Sequence, residues 1–171
     1  MERSRMIIRH ERTEDIDMIT QLTKAAFEHE AHSSHTEQFI VSSLRRSKHL
    51  TVSMVAVENG KVFGHVAISP VRISSGSTGW FGLGPISVWP EHQGRGIGSK
   101  LMHAALAELQ RLGGVGCVVL GDPGYYGRFG FKAYPTLELP GVPPAYFQAQ
   151  AFFGEPPKGT VHYHEAFEAI E

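Results

Sequence analysis

Apolar positions along the chain switch between helical and alternating spacing, and the switches mark out the elements. Met6-Ile7-Ile8-Arg9 reads as a short strand, and Thr13-Glu14-Asp15 places acidic residues where a helix dipole favours them. Ile16, Ile19, Leu22, Thr23, Ala26 and Phe27 then recur at helical spacing. A second helix is expected from about Thr36 to Arg46, with Phe39, Ile40, Ser43 and Leu44 as its stripe. From Thr51 the period becomes extended: Val52 to Val57 is β-rich and stops at Asn59-Gly60, a strong two-residue hairpin signal. The return strand runs from Val62 to about Ile73, and a Ser/Gly/Thr loop from Ser74 to Gly79 leads into a third strand, Trp80 to Val88. Pro85 cannot donate to a ladder, so a bulge or a break in pairing is expected there. A helix follows with Ile97, Leu101, Met102, Ala105, Leu109 and Leu112 on one face, stopped by Gly113-Gly114. Cys117 to Leu120 is a continuous apolar run, hence a buried strand parallel to its predecessor across the helix. The proline-rich remainder is mostly loop, with Tyr146 to Phe153 and Thr160 to Tyr163 as closing strands.

A length of 171 residues with 42% hydrophobic residues suits one domain spanning 1–171, of which 136–171 is the least defined by pattern. Sixteen basic against 17 acidic residues leave no general field for a polyanion, so neither nucleic acid nor a membrane surface is an expected partner. The single cysteine, Cys117, cannot form an internal disulfide, and no apolar run is long enough to span a bilayer, which makes a reducing cytoplasm the default compartment. Cys117 itself reads as packing. Glycine is the unusual count, with 19 residues, many of them between Gly76 and Gly130.

Strand, clustered glycines, then helix is a physical recipe for binding phosphate: the first helical N–H groups lack intrahelical acceptors, and missing Cβ atoms let an anion approach. Gly98-Ser99-Lys100 has the wrong order for a P-loop, and G-x-G-x-G is not the Rossmann spacing, so a nucleotide-phosphate enzyme is disfavoured. Gln93-Gly94-Arg95-Gly96-Ile97-Gly98, preceded by Leu83 to His92, resembles the acetyl-coenzyme A loop of the GNAT superfamily of N-acetyltransferases, Q/R-x-x-G-x-G/A. Tyr126-Gly127-Arg128-Phe129-Gly130-Phe131 is similar to that family's Y-x-x-x-G-F element, while Asp122 stands near where many members carry asparagine.

The resemblance implies an α/β (α+β) fold: a central mixed, mostly antiparallel sheet, splayed between its fourth and fifth strands and flanked by helices. It also implies an acetyltransferase moving an acetyl group from acetyl-CoA, as co-substrate, to a primary amine by direct attack in a ternary complex. A non-catalytic acyl-CoA sensor or assembly protein of the same fold is the alternative. Backbone amides of Gly94, Arg95, Gly96, Ile97, Gly98 and Ser99 would hold the pyrophosphate, with Gln93 shaping the loop. In the Ile86-Ser87-Val88 stretch, Val88 would bond the pantetheine arm and the Ile86 N–H would polarise the thioester carbonyl.

Tyr126 matches the tyrosine expected near the sulfur, where its phenol can protonate the leaving thiolate; a packed aromatic is the other reading. His65 suits accepting the ammonium proton, directly or through water, or is a satisfied core histidine. Glu37 and Arg45 lie where such enzymes build the acceptor pocket, or are ordinary exposed helix charges. The acceptor would be a small-molecule or protein amine, and homodimers are common in the family, with Phe147, Phe152 and Phe153 expected as exposed aromatics that form such a contact or cover the pocket. His29, His32 and His35 lack H-E-x-x-H spacing and acetyl transfer needs no metal, so no metal site is expected; the His162 and His164 pair reads as surface.

Overall fold

The computed structural model describes residues 5–31 and 33–171, which form one eight-stranded sheet with helices on both faces. Strand β1 (Ile7–His10) pairs antiparallel with β2 (Val52–Glu58), and β2 with β3 (Lys61–Ile73). Asn59 and Gly60 both have positive φ, 53° and 73°, as the two-residue hairpin requires. Strand β4 (Trp80–Val88) returns along β3, where Val66 faces Ile86 and Ile68 faces Leu83; β4 therefore carries one extra residue at Gly84-Pro85, the site anticipated from Pro85.

Helices α1 (Ile16–Phe27) and α2 (Glu37–Arg46) cover one face. Ile19, Leu22 and Val41 meet Val55, Val57 and Val62 there in a single buried cluster. The stripe expected for α2 is shifted: Gln38, Ile40, Val41 and Leu44 are buried, while Phe39 and Ser43 lie at its border. Helix α3 (Ile97–Arg111) covers the opposite face, burying Ile97, Leu101, Met102, Ala105 and Leu109 against Val52, Met54, Ala56, Val66 and Ile68. Its end at Gly113, φ 89°, is the glycine stop read from the sequence.

Strand β5 (Gly116–Leu120) runs parallel to β4, but the two pair only over Trp80–Gly82 and Gly116–Val118. Beyond Gly82 they part, which is the splay that the family resemblance implies. A short helix α4 (Pro123–Tyr126), not anticipated, is capped by the Asp122 carboxylate, which accepts from the Gly124 N–H at 2.9 Å. Further on, β6 (Leu137–Glu138) pairs with β8 (Gly159–Tyr163), β8 closes on β3, and β7 (Phe147–Ala151) pairs antiparallel with β5. Phe147 is a correction to the expected exposed aromatics. It is 3% exposed because it packs with Val118 and Trp80, leaving Phe153, at 71%, as the open one.

Candidate active site

The parting of β4 from β5 leaves one main-chain edge of β4 without a β5 partner from Leu83 to Val88. The Trp89 N–H donates to the Phe63 carbonyl of β3 at 3.1 Å. Successive residues of a strand aim their N–H and C=O groups at opposite edges, so those of Ile86 and Val88 point to the open side and those of Ser87 point to β3. The Val88 carbonyl accepts from Gln93 Nε2 at 3.2 Å, which ties the following loop to this edge.

The loop then reaches α3 through two left-handed glycines, Gly94 and Gly96, each at φ 80°. Gly98 is close-packed instead: a Cβ there would lie 2.9 Å from the Tyr125 hydroxyl, which would have to shift. Together they border a cleft of about 470 Å³. Ile86, Val88, Gln93, Gly94, Gly96, Ile97, Gly98 and Ser99 all line it. Arg95 is exposed at its margin with Nη1 2.9 Å from His92 Nδ1, and the Ser87 side chain is buried on the opposite face of the sheet, 2% exposed.

Three lining residues were not singled out from the sequence: His92, Tyr125 and Arg128. Arg128 lies over the Tyr125 ring at 4.8 Å, so a guanidinium is held at the rim of a cleft whose floor is the N-terminus of α3. The signal was present in Tyr125-Tyr126-Gly127-Arg128, but nothing local to the chain says that α4 folds back onto the glycine loop. The resulting chemistry is that of an anion site, with free helix N–H groups, a cation and no carboxylate among its lining residues.

Tyr126 follows directly. Its ring packs with Phe131 at 6.3 Å and against Gly121, and burial, reinforced by neighbouring Tyr125, pushes its phenol up to about 12. It is therefore a protonated donor at neutral pH. Cys117 is wholly buried and burial pushes its thiol up, as packing requires.

His65 is fully buried on the face covered by α1 and α2, directly opposite Val55 on one side and Ser87 on the other. Burial lowers it to about 4, against the opposing charge of Glu11. Its Nε2 lies 2.8 Å from Ser53 Oγ, which bonds the Glu11 carboxylate. Glu11 in turn accepts from Arg45 Nε and Nη2, both at 2.8 Å. Burial pushes the Glu11 carboxyl up, but the bonds from Arg45 and Ser53 and the Arg45 charge bring it below its ordinary value. Arg45 thus has its guanidinium on Glu11, at a shallow pocket of about 400 Å³ shared with His10, Lys48 and Thr51. Glu37 accepts from the Ser33 hydroxyl at 2.7 Å, just before α2.

A larger cavity of about 570 Å³ lies under the proline-rich segment, lined by Tyr134, Leu137, Leu139, Val142 and Phe147 and sharing no residue with the cleft. Its size does not make it the site of chemistry, since it lacks free helix amides and any cation. Among the described residues no three His, Cys, Asp or Glu side chains are grouped to hold a metal, and His32 lies outside those residues. His164 is a helix cap, its Nδ1 accepting from the Ala166 N–H at 3.0 Å. No helix among the described residues is long and apolar enough to cross a membrane.

The chain is similar to known acetyltransferases. The family model described as an acetyltransferase (GNAT) domain matches residues 7–134. "Uncharacterized N-acetyltransferase YhbS" of Escherichia coli K12 is 34% identical over 170 residues, covering 95% of this chain and 98% of its own length. The chain is also similar to a crystal structure of a GNAT family acetyltransferase from Brucella melitensis in complex with acetyl-CoA. Identity is 50% and the TM-score 0.86, with 95% and 98% of the two chains covered. The YhbS crystal structure, in complex with CoA, gives a TM-score of 0.89 at 32% identity over 100% of this chain and 96% of that one.

Proposed function

The chain belongs to the GNAT family of N-acetyltransferases, and from that premise we propose that its cleft binds acetyl-CoA and presents the thioester to a primary amine for direct attack. The observation that carries the proposal is the open edge of β4 beside the glycine loop at the start of α3. An extended pantetheine arm fits that edge as an added strand, and a pyrophosphate fits the helix amides.

In this reading the Val88 N–H bonds the arm, and the Ile86 N–H donates to the thioester oxygen as negative charge develops on it. The amides from Gly94 to Ser99 take the pyrophosphate, Gln93 keeps the loop on β4, and Arg128 adds a cation at the rim. Tyr126 gives its phenolic proton to the leaving CoA thiolate, for which its raised pKa keeps it loaded. His65, neutral at physiological pH, is the base; being fully buried, it takes the ammonium proton through an intervening water or hydroxyl. Glu37, and Arg45 through Glu11, are the charged groups of α2 on the acceptor side, and the acceptor is a small-molecule or protein amine. No step requires a metal.

The test is CoA release from acetyl-CoA with a defined amine panel: spermidine, phenylethylamine, glucosamine and the dipeptide Ala-Lys. Turnover with an amine, reduced in Tyr126→Phe without loss of cofactor binding, is the expected result. Tight CoA binding with no turnover on a broadened panel would favour the non-catalytic sensor instead.

A further inference from the structure

We propose that Glu11 and Ser53 are positioning residues that fix His65 as its Nε2–H tautomer, so that the bare Nδ1 is the atom that accepts the proton. The inference rests on the reading of His65 as the base and adds to it which nitrogen acts and what orients it.

Glu11 is anchored to β2 by its own N–H, which donates to the Ser53 carbonyl at 2.9 Å, and its carboxylate is clasped by Arg45 through two bonds of 2.8 Å. An ionised carboxylate only accepts, so the Ser53 hydroxyl donates to Glu11. That uses the one proton Ser53 has. The 2.8 Å contact between Ser53 Oγ and His65 Nε2 must then run from Nε2–H to oxygen. A neutral imidazole carries one N–H, which leaves Nδ1 as a lone pair.

The unprotonated nitrogen lies in a layer with a common character. His65 Nδ1, Ser87 Oγ, Ser69 Oγ and Thr23 Oγ1 are buried side-chain atoms without a hydrogen-bond partner among the described residues. Ser87 is paired directly across from His65, Ser69 is four residues along the same face of β3, and Thr23 comes from the covering helix α1. Polar atoms of this kind are otherwise rare in protein interiors. Here Ser87 and His65 face α1 and α2 across the same stretch of β4 whose other face carries the cleft side chains Ile86 and Val88.

In the transfer, an N–H bond of the substrate ammonium breaks and, through an intervening water or hydroxyl that gives up one proton as it takes the other, the Nδ1–H bond forms, leaving the neutral amine to attack the thioester. The imidazolium keeps its Nε2–H on Ser53, facing the Glu11 charge. The groups that bear on this charge are Glu11 and Asp15, which favour it, and Arg45 on α2, which opposes it. Asp15 is held by Arg9 of β1, and His10 and Lys48 line the mouth beside Glu11. The buried residues of α1, Ile19, Leu22 and Thr23, carry no charge.

The test is two-bond 15N spectroscopy of the full chain labelled at histidine and saturated with CoA, joined to kinetics with the amine panel. His65 is expected to show protonated Nε2 and unprotonated Nδ1 from pH 6 to 9. Ser53→Ala is expected to move the proton toward Nδ1 and to lower kcat about 10-fold or more at unchanged KM for acetyl-CoA, while Ser53→Thr, which keeps the hydroxyl, retains both properties. Glu11→Gln is expected to lower the pH at which His65 titrates. A wild-type proton on Nδ1, or Ser53→Ala with unchanged tautomer and kcat, overturns the positioning inference while His65→Gln is still impaired. Wild-type kcat in His65→Gln instead overturns the base reading beneath it.

Discussion

Gly96→Ala separates the conformational demand of the glycine loop from its ligand-binding demand. Gly96 has φ 80°, and a Cβ added there meets nothing within 4 Å among the described residues. The whole cost to the free protein is therefore the left-handed backbone, about 1–2 kcal/mol for an L-residue. At this chain length that lowers Tm by about 2–8 °C. Gly76, in the loop between β3 and β4, is a matched control, with φ 84° and equally open space, but it does not line the cleft. Gly76→Ala should cost the same stability. The two variants should diverge in the presence of cofactor, because residue 96 lines the cleft in which the proposed pyrophosphate would meet the helix amides. Losing one charge-assisted hydrogen bond costs about 1.5–3 kcal/mol, which weakens CoA roughly 10- to 100-fold. Thermal melts and titration calorimetry with CoA read both quantities on the same samples. Equal CoA affinity in Gly96→Ala and Gly76→Ala would refute the assignment of this loop to the pyrophosphate.

Other consequences are independent of that one. Tyr126→Phe is expected to lower kcat about 10- to 100-fold with little change in KM for acetyl-CoA, and wild-type pH profiles should show no alkaline limb from Tyr126 between pH 7 and 10, since its phenol titrates only near 12. Arg128→Ala should weaken CoA binding and reduce its dependence on salt, as measured by calorimetry at two ionic strengths. His65 titrates near 4 when folded and near 6.5 when unfolded, so the unfolded chain holds the extra proton between those values. Stability should fall by about 3 kcal/mol as pH drops from 6.5 to 4, and urea melts of His65→Gln should lack that slope. Leu44→Ala empties a site that is 0% exposed and should cost about 2–5 kcal/mol by the same melts.

Much of this architecture is legible in local sequence because the elements that carry it are locally determined. Asn59-Gly60 specifies a hairpin by backbone conformation alone, and the apolar face of α3 together with the glycines before it marks where a helix N-terminus opens. The register of α2 was less legible. Phe39 looked like its stripe and Gln38 did not, because the buried face is set by what α1, β2 and the C-terminal segment offer it, not by its own hydrophobicity. Long-range contacts were the least legible part of the site. Arg45 meets Glu11 across 34 residues, and Glu11 reaches His65 through a serine 42 residues away from it in sequence. No spacing rule joins Glu11, Ser53 and His65; the antiparallel pairing of β1, β2 and β3 does. Arg128 and Tyr125 entered the cleft for a similar reason, since α4 packs onto the loop only once β5 has left β4.

The central claim is that an acetyl group leaves the thioester for an amine without stopping on the protein. Carbonyl-labelled [13C]acetyl-CoA, followed by 13C spectroscopy and intact protein mass with and without the amine panel, tests it most directly. The account predicts an amide carbonyl signal and free CoA only when an accepted amine is present, with the protein mass unchanged throughout. A protein that binds CoA tightly yet forms no amide with any amine, or one that gains an acetyl group before the amine is added, would contradict it.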